Sequence, residues 1–265
     1  MLRLTRELRF SLDAGQPGDG CHTAAVSNSW AGWPSARGVR PWLRLRVTVG
    51  GRVDPLTGLL CNIKRIDDLL RRQVIGPLTQ TLRSEPDVAP ARLLRLAWEL
   101  IAAGELGELL LALELLTTPM LRYALDREDA TMVYLTQQFE FSAAHRLHCP
   151  KLSAAENQAT FGKCTNPSGH GHNYLLEVTV RGRPDQHGVV FPLPQLERIV
   201  KRRVLDVLDH KHLNVDIDLF AERNPTVENI ARVVWELLAT ELAPPLLANV
   251  RVYETAKTWA DYRGK

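Results

Sequence analysis

The sequence predicts an α+β fold built from two tandem units, and three observations carry that expectation. First, Arg46-Val-Thr-Val-Gly-Gly-Arg-Val-Asp54 echoes Glu177-Val-Thr-Val-Arg-Gly-Arg-Pro-Asp185, and Thr5-Arg-Glu-Leu-Arg-Phe-Ser11 echoes Thr136-Gln-Gln-Phe-Glu-Phe-Ser142, at one separation (47 to 178, 5 to 136). Two matches in a single register indicate an internal repeat. Second, these runs alternate apolar with polar residues, the two-residue period of a strand with one buried face. Third, Leu196, Ile199, Val200, Val204 and Leu208 fall on one side of a helix, with Glu197, Arg198, Lys201 and Arg202 opposite. That is an amphipathic helix made to pack on a sheet.

The remaining elements follow in order. Residues 15–38 are rich in Gly, Pro and Ser and read as a loop between the first two strands. Leu69 to Leu78 answers Ile199 to Leu208, and Leu96-Ala-Trp-Glu-Leu-Ile101 answers Val233-Val-Trp-Glu-Leu-Leu238 at a slightly longer offset. Leu109 to Leu116 is continuously apolar, so pattern alone leaves helix or strand open, and the repeat register selects strand. A boundary near Asp129 gives units 1–129 and 130–265. In the second unit Phe139, Phe141 and Ala143 mark one strand and Tyr174 to Val180 the next. Thr226 is suited to N-cap a helix running through Leu238, Pro244-Pro245 bars its continuation, and Asn249 to Tyr253 closes the unit. Both units thus read strand, strand, helix, helix, strand and a short tail.

Composition narrows the functional classes. No stretch approaches the roughly 20 apolar residues of a membrane span, and Met1 to Glu7 mixes charges into any would-be signal core. The expectation is a cytoplasmic protein without a membrane partner. A net charge of +3, with Lys and Arg spread evenly, argues against a nucleic-acid partner and tolerates a small anionic substrate. Cys21, Cys61, Cys149 and Cys164 form no Cys-x-x-Cys pair, so free thiols are expected.

The chemistry concentrates in the second unit. His170-Gly-His172 places two imidazoles on one face of a strand, and we expect Gly171 to leave room between them. His145, at the end of the preceding strand, is the expected third ligand, because antiparallel pairing brings that end beside the start of the next strand. Three imidazoles without a fourth protein ligand point to a catalytic zinc with an open position, the alternative being histidines of no consequence. The pair Asp209 and His210 can orient a histidine for proton transfer or simply finish a helix. Glu254 ends a strand, where a carboxylate can accept paired hydrogen bonds or merely meet solvent. Cys164 sits on a Gly/Asn/Pro loop beside Lys163, a cation expected to lower its thiol pKa, although a single Cys is more often inert. Read across the repeat, His145, Cys164, His170 and His172 fall opposite Ala14, Trp33, Val39 and Pro41, so the first unit should be a scaffold. Cys21 and His22 are adjacent there, and neighbouring side chains of an extended chain point apart.

Phe141-Ser-Ala-Ala-His-Arg-Leu147, Phe161 to Tyr174, Leu208-Asp-His-Lys-His-Leu213, Pro225-Thr-Val-Glu-Asn229 and Val252-Tyr-Glu-Thr255 together resemble the 6-pyruvoyl-tetrahydropterin synthase family, which includes the 6-carboxytetrahydropterin synthases of queuosine and deazapurine biosynthesis. The resemblance covers residues 134–265 and reaches 1–129 weakly through the repeat. It implies T-fold units, each a four-stranded antiparallel sheet with two helices on one face, and ligand sites at subunit interfaces. It also implies a lyase acting on 7,8-dihydroneopterin triphosphate, with Zn2+ on His145, His170 and His172. By the same resemblance Cys164 is the general base, Asp209 and His210 a relay contributed across an interface, Glu254 the anchor of the pterin edge, and Thr226 and Glu228 lie near that pocket. A family that assembles six units implies a homotrimer of this two-unit chain. The five residues between Cys164 and His170 resemble the pyruvoyl-forming enzymes, the carboxy-forming ones being the alternative; a non-catalytic metal- and pterin-binding protein is the alternative of another class. His212 stands where the family usually has Asn, and Phe191-Pro192 replaces a helix-capping Asn or Asp that the first unit keeps as Asn62.

Overall fold

The computed structural model describes residues 1–12, 41–244 and 246–264. The loop at 15–38, with Cys21 and His22, lies outside the described residues, as do Ala14, Trp33 and Val39. The chain divides into two compact bodies, one formed by Met1–Leu135 with Gly182–Val190 and the other by Thr136–Arg181 with Phe191–Lys265.

In the first body β1 (Leu2–Ser11), β2 (Trp42–Gly51), β3 (Leu110–Thr118) and β4 (Leu121–Asp126) pair antiparallel in chain order. The continuously apolar run after Leu109 is therefore a strand. Leu8, Phe10, Leu43, Leu45, Val47 and Leu113 are buried to within a few per cent on one face of this sheet. The helices supply the other side of the core. Helix α1 (Ile63–Leu69) passes through a π turn, Leu70–Val74, into α2 (Ile75–Ser84), and α3 (Pro90–Ala102) follows. Ile66, Leu70, Val74, Leu78, Leu94, Ala97 and Ile101 are inaccessible to solvent. Asn62 caps α1, its side chain accepting the Lys64 N–H at 3.0 Å. On the opposite sheet face Glu7 pairs with Arg9 and Arg46 at 2.8 Å each, and Arg46 reaches Glu114 at 3.2 Å.

The second body repeats the order. Strands β5 (Val133–His145), β6 (His170–Gly182), β8 (Leu247–Thr255) and β9 (Thr258–Tyr262) are successive neighbours, and the short β7 (Lys211–His212) adds to β5 in parallel at Ala143 and Ala144. The tail after Thr255 is thus a strand in its own right, antiparallel to β8. Between β5 and β6 lie α4 (Ala154–Phe161) and a 3₁₀ turn, Gly162–Thr165. Helix α5 (Leu193–Val200) continues through a second π turn, Lys201–Leu205, into the single turn α6 (Asp206–Leu208), and α7 (Leu213–Asp216) is equally short. The N-terminus of α5 falls on Pro192 with no side-chain cap, as Phe191-Pro192 implies. Helix α8 (Val227–Ala239) is capped by Thr226, which accepts the Asn229 N–H, and it lies on β8 and β9. Its Ile230, Ala231, Val233, Val234 and Leu238 are fully buried.

The bodies share irregularities as well as elements. The π turns Leu70–Val74 and Lys201–Leu205 stand at the separation of Thr5 and Thr136. So do the register shifts at Thr48/Val49 and Thr179/Val180, and the cross-strand hydroxyl pairs Thr5–Thr48 (2.8 Å) and Thr136–Thr179 (2.9 Å).

Candidate metal centre

Strand periodicity places the site. Phe141, Ala143 and His145 of β5, Tyr174, Leu176, Val178 and Val180 of β6, and Val250 and Val252 of β8 are all buried at spacing two, one inward-facing row per strand. Each row ends in a polar group: His145 on β5, His170 and His172 on β6, Glu254 on β8. The same alternation that builds the core therefore brings these side chains to one end of its sheet face.

Potential ligand atoms of His145, His170 and His172 all lie within 4.8 Å of one another. His145 is fully buried. Its Nδ1 donates to the Pro225 carbonyl at 2.7 Å, just before α8, and Nε2 is left facing His170 Nε2 at 3.1 Å. A histidine held this way through one nitrogen presents the other to a metal with its ring orientation fixed. Burial, above all, depresses the pKa values of His145 and His170, which keeps them in the neutral form that ligation requires. His172 Nε2 is buried with no hydrogen-bond partner. An orphaned buried acceptor among convergent imidazoles fits a divalent cation of borderline softness such as zinc. Tyr174 floors the site, its hydroxyl 3.4 Å from His145 Nδ1 and its ring stacked on Phe141 with centroids 5.0 Å apart.

The glycine that matters is not Gly171. A Cβ added at Gly171 would meet only the Ala143 carbonyl at 3.7 Å, an ordinary contact, because position 171 faces away from the histidines. Gly169 is the constrained residue: its φ is +70°, and a Cβ there would meet His145 O at 2.9 Å and His212 Nε2 at 2.7 Å. Its backbone bends directly over the end of β5 and delivers His170 beside His145.

Cys164 lies on the 3₁₀ turn Gly162–Thr165. The turn is tied to the segment after His145: Leu147 N–H donates to Cys164 O at 2.8 Å, and Arg146 Nε donates to Thr165 O at 3.1 Å. Arg146 is itself clamped by Asn214, which accepts its N–H at 2.8 Å and donates to its carbonyl at 3.0 Å. Fully buried Asn157 braces the next stretch through Cys149, Leu152 and Ser153. The expectation that Lys163 lowers the Cys164 pKa is corrected. Burial raises the thiol pKa, and the negative charge of Glu254 raises it further.

Asp209 and His210 form a pair, Oδ2 to Nδ1 at 2.8 Å. Both residues bond to Ser142 of β5: Asp209 Oδ1 accepts its N–H at 2.8 Å, and its carbonyl accepts the His210 N–H at 2.6 Å. The Ser142 N–H is the main reason the Asp209 carboxyl is held below the usual carboxylate range. His210 adopts a φ of +56°, and its side chain is 81% exposed. Among the described residues no hydrogen bond joins this pair to Cys164 or the three histidines. Thr226 serves as the α8 cap beside Pro225, and Glu228 is exposed in the first helical turn. Glu254 faces inward, its Oε1 3.5 Å from His145 Nε2 and 3.8 Å from His172 Nε2. Tyr174, the Pro225 carbonyl, Gly169 and the Arg146–Asn214 clamp were not singled out from sequence. Tyr174 alone carried a readable signal, two residues beyond His172 on the same strand face.

This arrangement is a candidate three-histidine metal site in an α+β fold, and it can be set beside known proteins. The family profile described as 6-pyruvoyl tetrahydropterin synthase matches residues 134–265. The 6-pyruvoyl tetrahydrobiopterin synthase of Drosophila melanogaster is 44% identical over 135 residues, 50% of this chain and 80% of that protein. A putative 6-carboxy-5,6,7,8-tetrahydropterin synthase of Archaeoglobus fulgidus is 34% identical over 112 residues, 42% of this chain and 89% of that one. The solved 6-pyruvoyl tetrahydropterin synthase of Caenorhabditis elegans is 42% identical and covers 51% of this chain and 96% of its own, with a TM-score of 0.48. The chain belongs to the 6-pyruvoyl tetrahydropterin synthase family.

Two outcomes follow from the geometry. Gly169→Ala forces a left-handed backbone on a residue with a Cβ and pushes it into His145 O, at a cost of about 1–2 kcal/mol. Urea unfolding should show that loss, and metal competition should show weaker binding; unchanged values for both would refute the role assigned to Gly169. Loading the site with Zn2+ counters the Glu254 charge and lowers the Cys164 pKa, so iodoacetamide should alkylate Cys164 faster at fixed pH in loaded than in metal-free protein, as followed by peptide mass mapping.

Proposed function

We propose that this protein is a zinc-dependent lyase that acts on 7,8-dihydroneopterin triphosphate and eliminates triphosphate to form a 6-pyruvoyl pterin. The observation that carries the reading is the convergence of His145, His170 and His172 at the end of one sheet face, with the Cys164 turn hydrogen-bonded to the segment that follows His145. The relative named as a pyruvoyl-forming enzyme supports this product at 44% identity over 80% of its length.

Zinc on the three histidines would supply Lewis-acid polarisation of the substrate's side-chain hydroxyls, making the neighbouring carbon-bound protons removable. The protein's own groups do the rest. The Cys164 thiolate takes a carbon-bound proton at Sγ. Asp209 holds the His210 imidazole through Nδ1, so that Nε2 is free to exchange a proton with the substrate side chain. Because His210 is exposed and, among the described residues, no hydrogen bond joins it to the histidine cluster of its own chain, we assign this pair to the pocket of a neighbouring copy. Glu254 accepts hydrogen bonds from the amide and amino edge of the pterin, with Thr226 and Glu228 at the rim, and this remote binding is spent on positioning. The redistribution of side-chain electrons then expels triphosphate.

The alternative product is the 6-carboxy pterin, favoured by the match to the archaeal relative over 89% of its length. Incubation with dihydroneopterin triphosphate separates the two, since only the carboxy-forming reaction releases acetaldehyde. Cys164→Ala should abolish turnover by two orders of magnitude or more, about 3 kcal/mol in the barrier, while zinc content holds. Full turnover in that variant would overturn the lyase mechanism, and retained pterin binding with no activity in the parent would favour a binding protein.

We further infer that residues 1–129 and 130–265 are tandem T-fold copies, on the strength of their matching π turns, register shifts and threonine pairs. Pro41, standing opposite His172, offers no ligand, so one metal per chain is expected. A six-unit assembly then needs three chains, and sedimentation equilibrium should give the mass of a trimer; an active monomer would exclude it.

A further inference from the structure

We infer that Glu254 is the fourth ligand of the metal in the resting protein and leaves it when a pterin edge enters the pocket. Ligands of a tetrahedral zinc with bonds of about 2.0–2.1 Å to nitrogen and oxygen stand about 3.3 Å apart along each edge of the tetrahedron. Three separations fall near that edge, within a histidine cluster whose ligand atoms all lie within 4.8 Å of one another. His145 Nε2 and His170 Nε2 are 3.1 Å apart, and Glu254 Oε1 is 3.5 Å from His145 Nε2 and 3.8 Å from His172 Nε2. One carboxylate oxygen thus stands beside two of the three imidazoles, next to the corner that they leave vacant.

Burial and connectivity agree with this placement. The Glu254 side chain is 19% exposed, and it is the last inward-facing residue of β8, after the fully buried Val250 and Val252. A carboxylate so far withdrawn from water needs a cation or donors. Among the described residues its carboxylate has the ring nitrogens of His145 and His172 within 4 Å. His172 Nε2, on the other side of the same gap, has no hydrogen-bond partner. A divalent cation between them satisfies the carboxylate and the orphaned nitrogen together.

The inference deepens the proposed function and rests on its metal reading, because there the same carboxylate holds the pterin edge. One group cannot do both at once. In the resting protein Oε1 closes the coordination sphere; when the guanidine-like edge of the pterin arrives, the carboxylate turns to accept its hydrogen bonds, and the corner it vacates becomes available to the substrate's side chain. Opening of the metal is thereby tied to occupancy of the pterin pocket.

The test uses the full chain and metal alone. Zn2+ affinity, read by competition with a chromogenic chelator, should fall by about a hundredfold or more in Glu254→Gln, whereas an outer group that only orients a ligand costs about 10–100-fold. A smaller loss overturns the assignment. The second measurement needs no folded variant: the visible spectrum of the Co2+-loaded wild-type protein should be unmoved by millimolar azide, because a closed tetrahedral site has no position to give. A spectral shift in the wild-type protein overturns the proposal equally. If the wild-type protein fails to turn over a pterin triphosphate, the proposed function falls while both metal readouts keep their meaning.

Discussion

The hydrogen bond from His145 Nδ1 to the Pro225 carbonyl is the contact on which the site depends. It joins the last residue of β5 to the residue before the α8 cap, 80 positions later in the chain, so the strand end and the helix start are set against each other before any ligand arrives. It also selects the tautomer. With Nδ1 donating, Nε2 is the lone-pair nitrogen, and it faces His170 and Glu254. Thr226, next in sequence, closes the turn by capping α8, and the two interactions hold one another in place: a displaced cap moves the carbonyl, and a displaced carbonyl frees the ring.

A second layer of order couples this centre to the thiol. Arg146 and Leu147 follow His145 directly, and each donates a hydrogen bond to the turn that carries Cys164. Asn214 grips the Arg146 backbone from both sides. The segment that carries His145 and the turn that carries Cys164 are therefore held together by both backbone and side-chain hydrogen bonds, which would suit the proton transfer proposed above. The raised thiol pKa belongs to the same geometry: Cys164 is close enough to Glu254 to feel its charge.

What could be read from the sequence was what depends on period and on local chemistry. Strand alternation located the inward rows, His-x-His placed two imidazoles on one face, and Asn62 and Thr226 announced their helices through side chains that accept an N–H two or three residues on. What escaped depends on contacts remote in the chain. Gly171 looked like the necessary glycine because it lies between two ligands, yet a two-residue period points it to the other face, and only the approach of His145 O shows that Gly169 is the constrained one. Lys163 looked like the charge that matters to Cys164 because it is adjacent. Burial raises the thiol pKa most, and the charge that reaches it is that of Glu254, far away in sequence and returned to the site by the pairing of β6 with β8.

Under the duplication proposed above, the two bodies would show how one can keep the fold without the chemistry. Their buried rows correspond, and so do their irregularities, while the outward face is free to change so long as charges remain matched. Arg46 stands directly across from Glu114 in the first body, and at the same place in the second Glu177 stands across from Arg251, the signs exchanged. The candidate metal ligands would share that freedom for a different reason. They sit where the inward rows run out, beyond the apolar side chains that carry the core, and Pro41, opposite His172, is exposed immediately before β2 begins. Removing an imidazole there leaves Phe10, Leu43 and Leu45 packed as before. A site built at the end of a strand is separable from the sheet that presents it, and the proposed duplication would use that separability to keep the candidate ligands in one body and leave the other as scaffold.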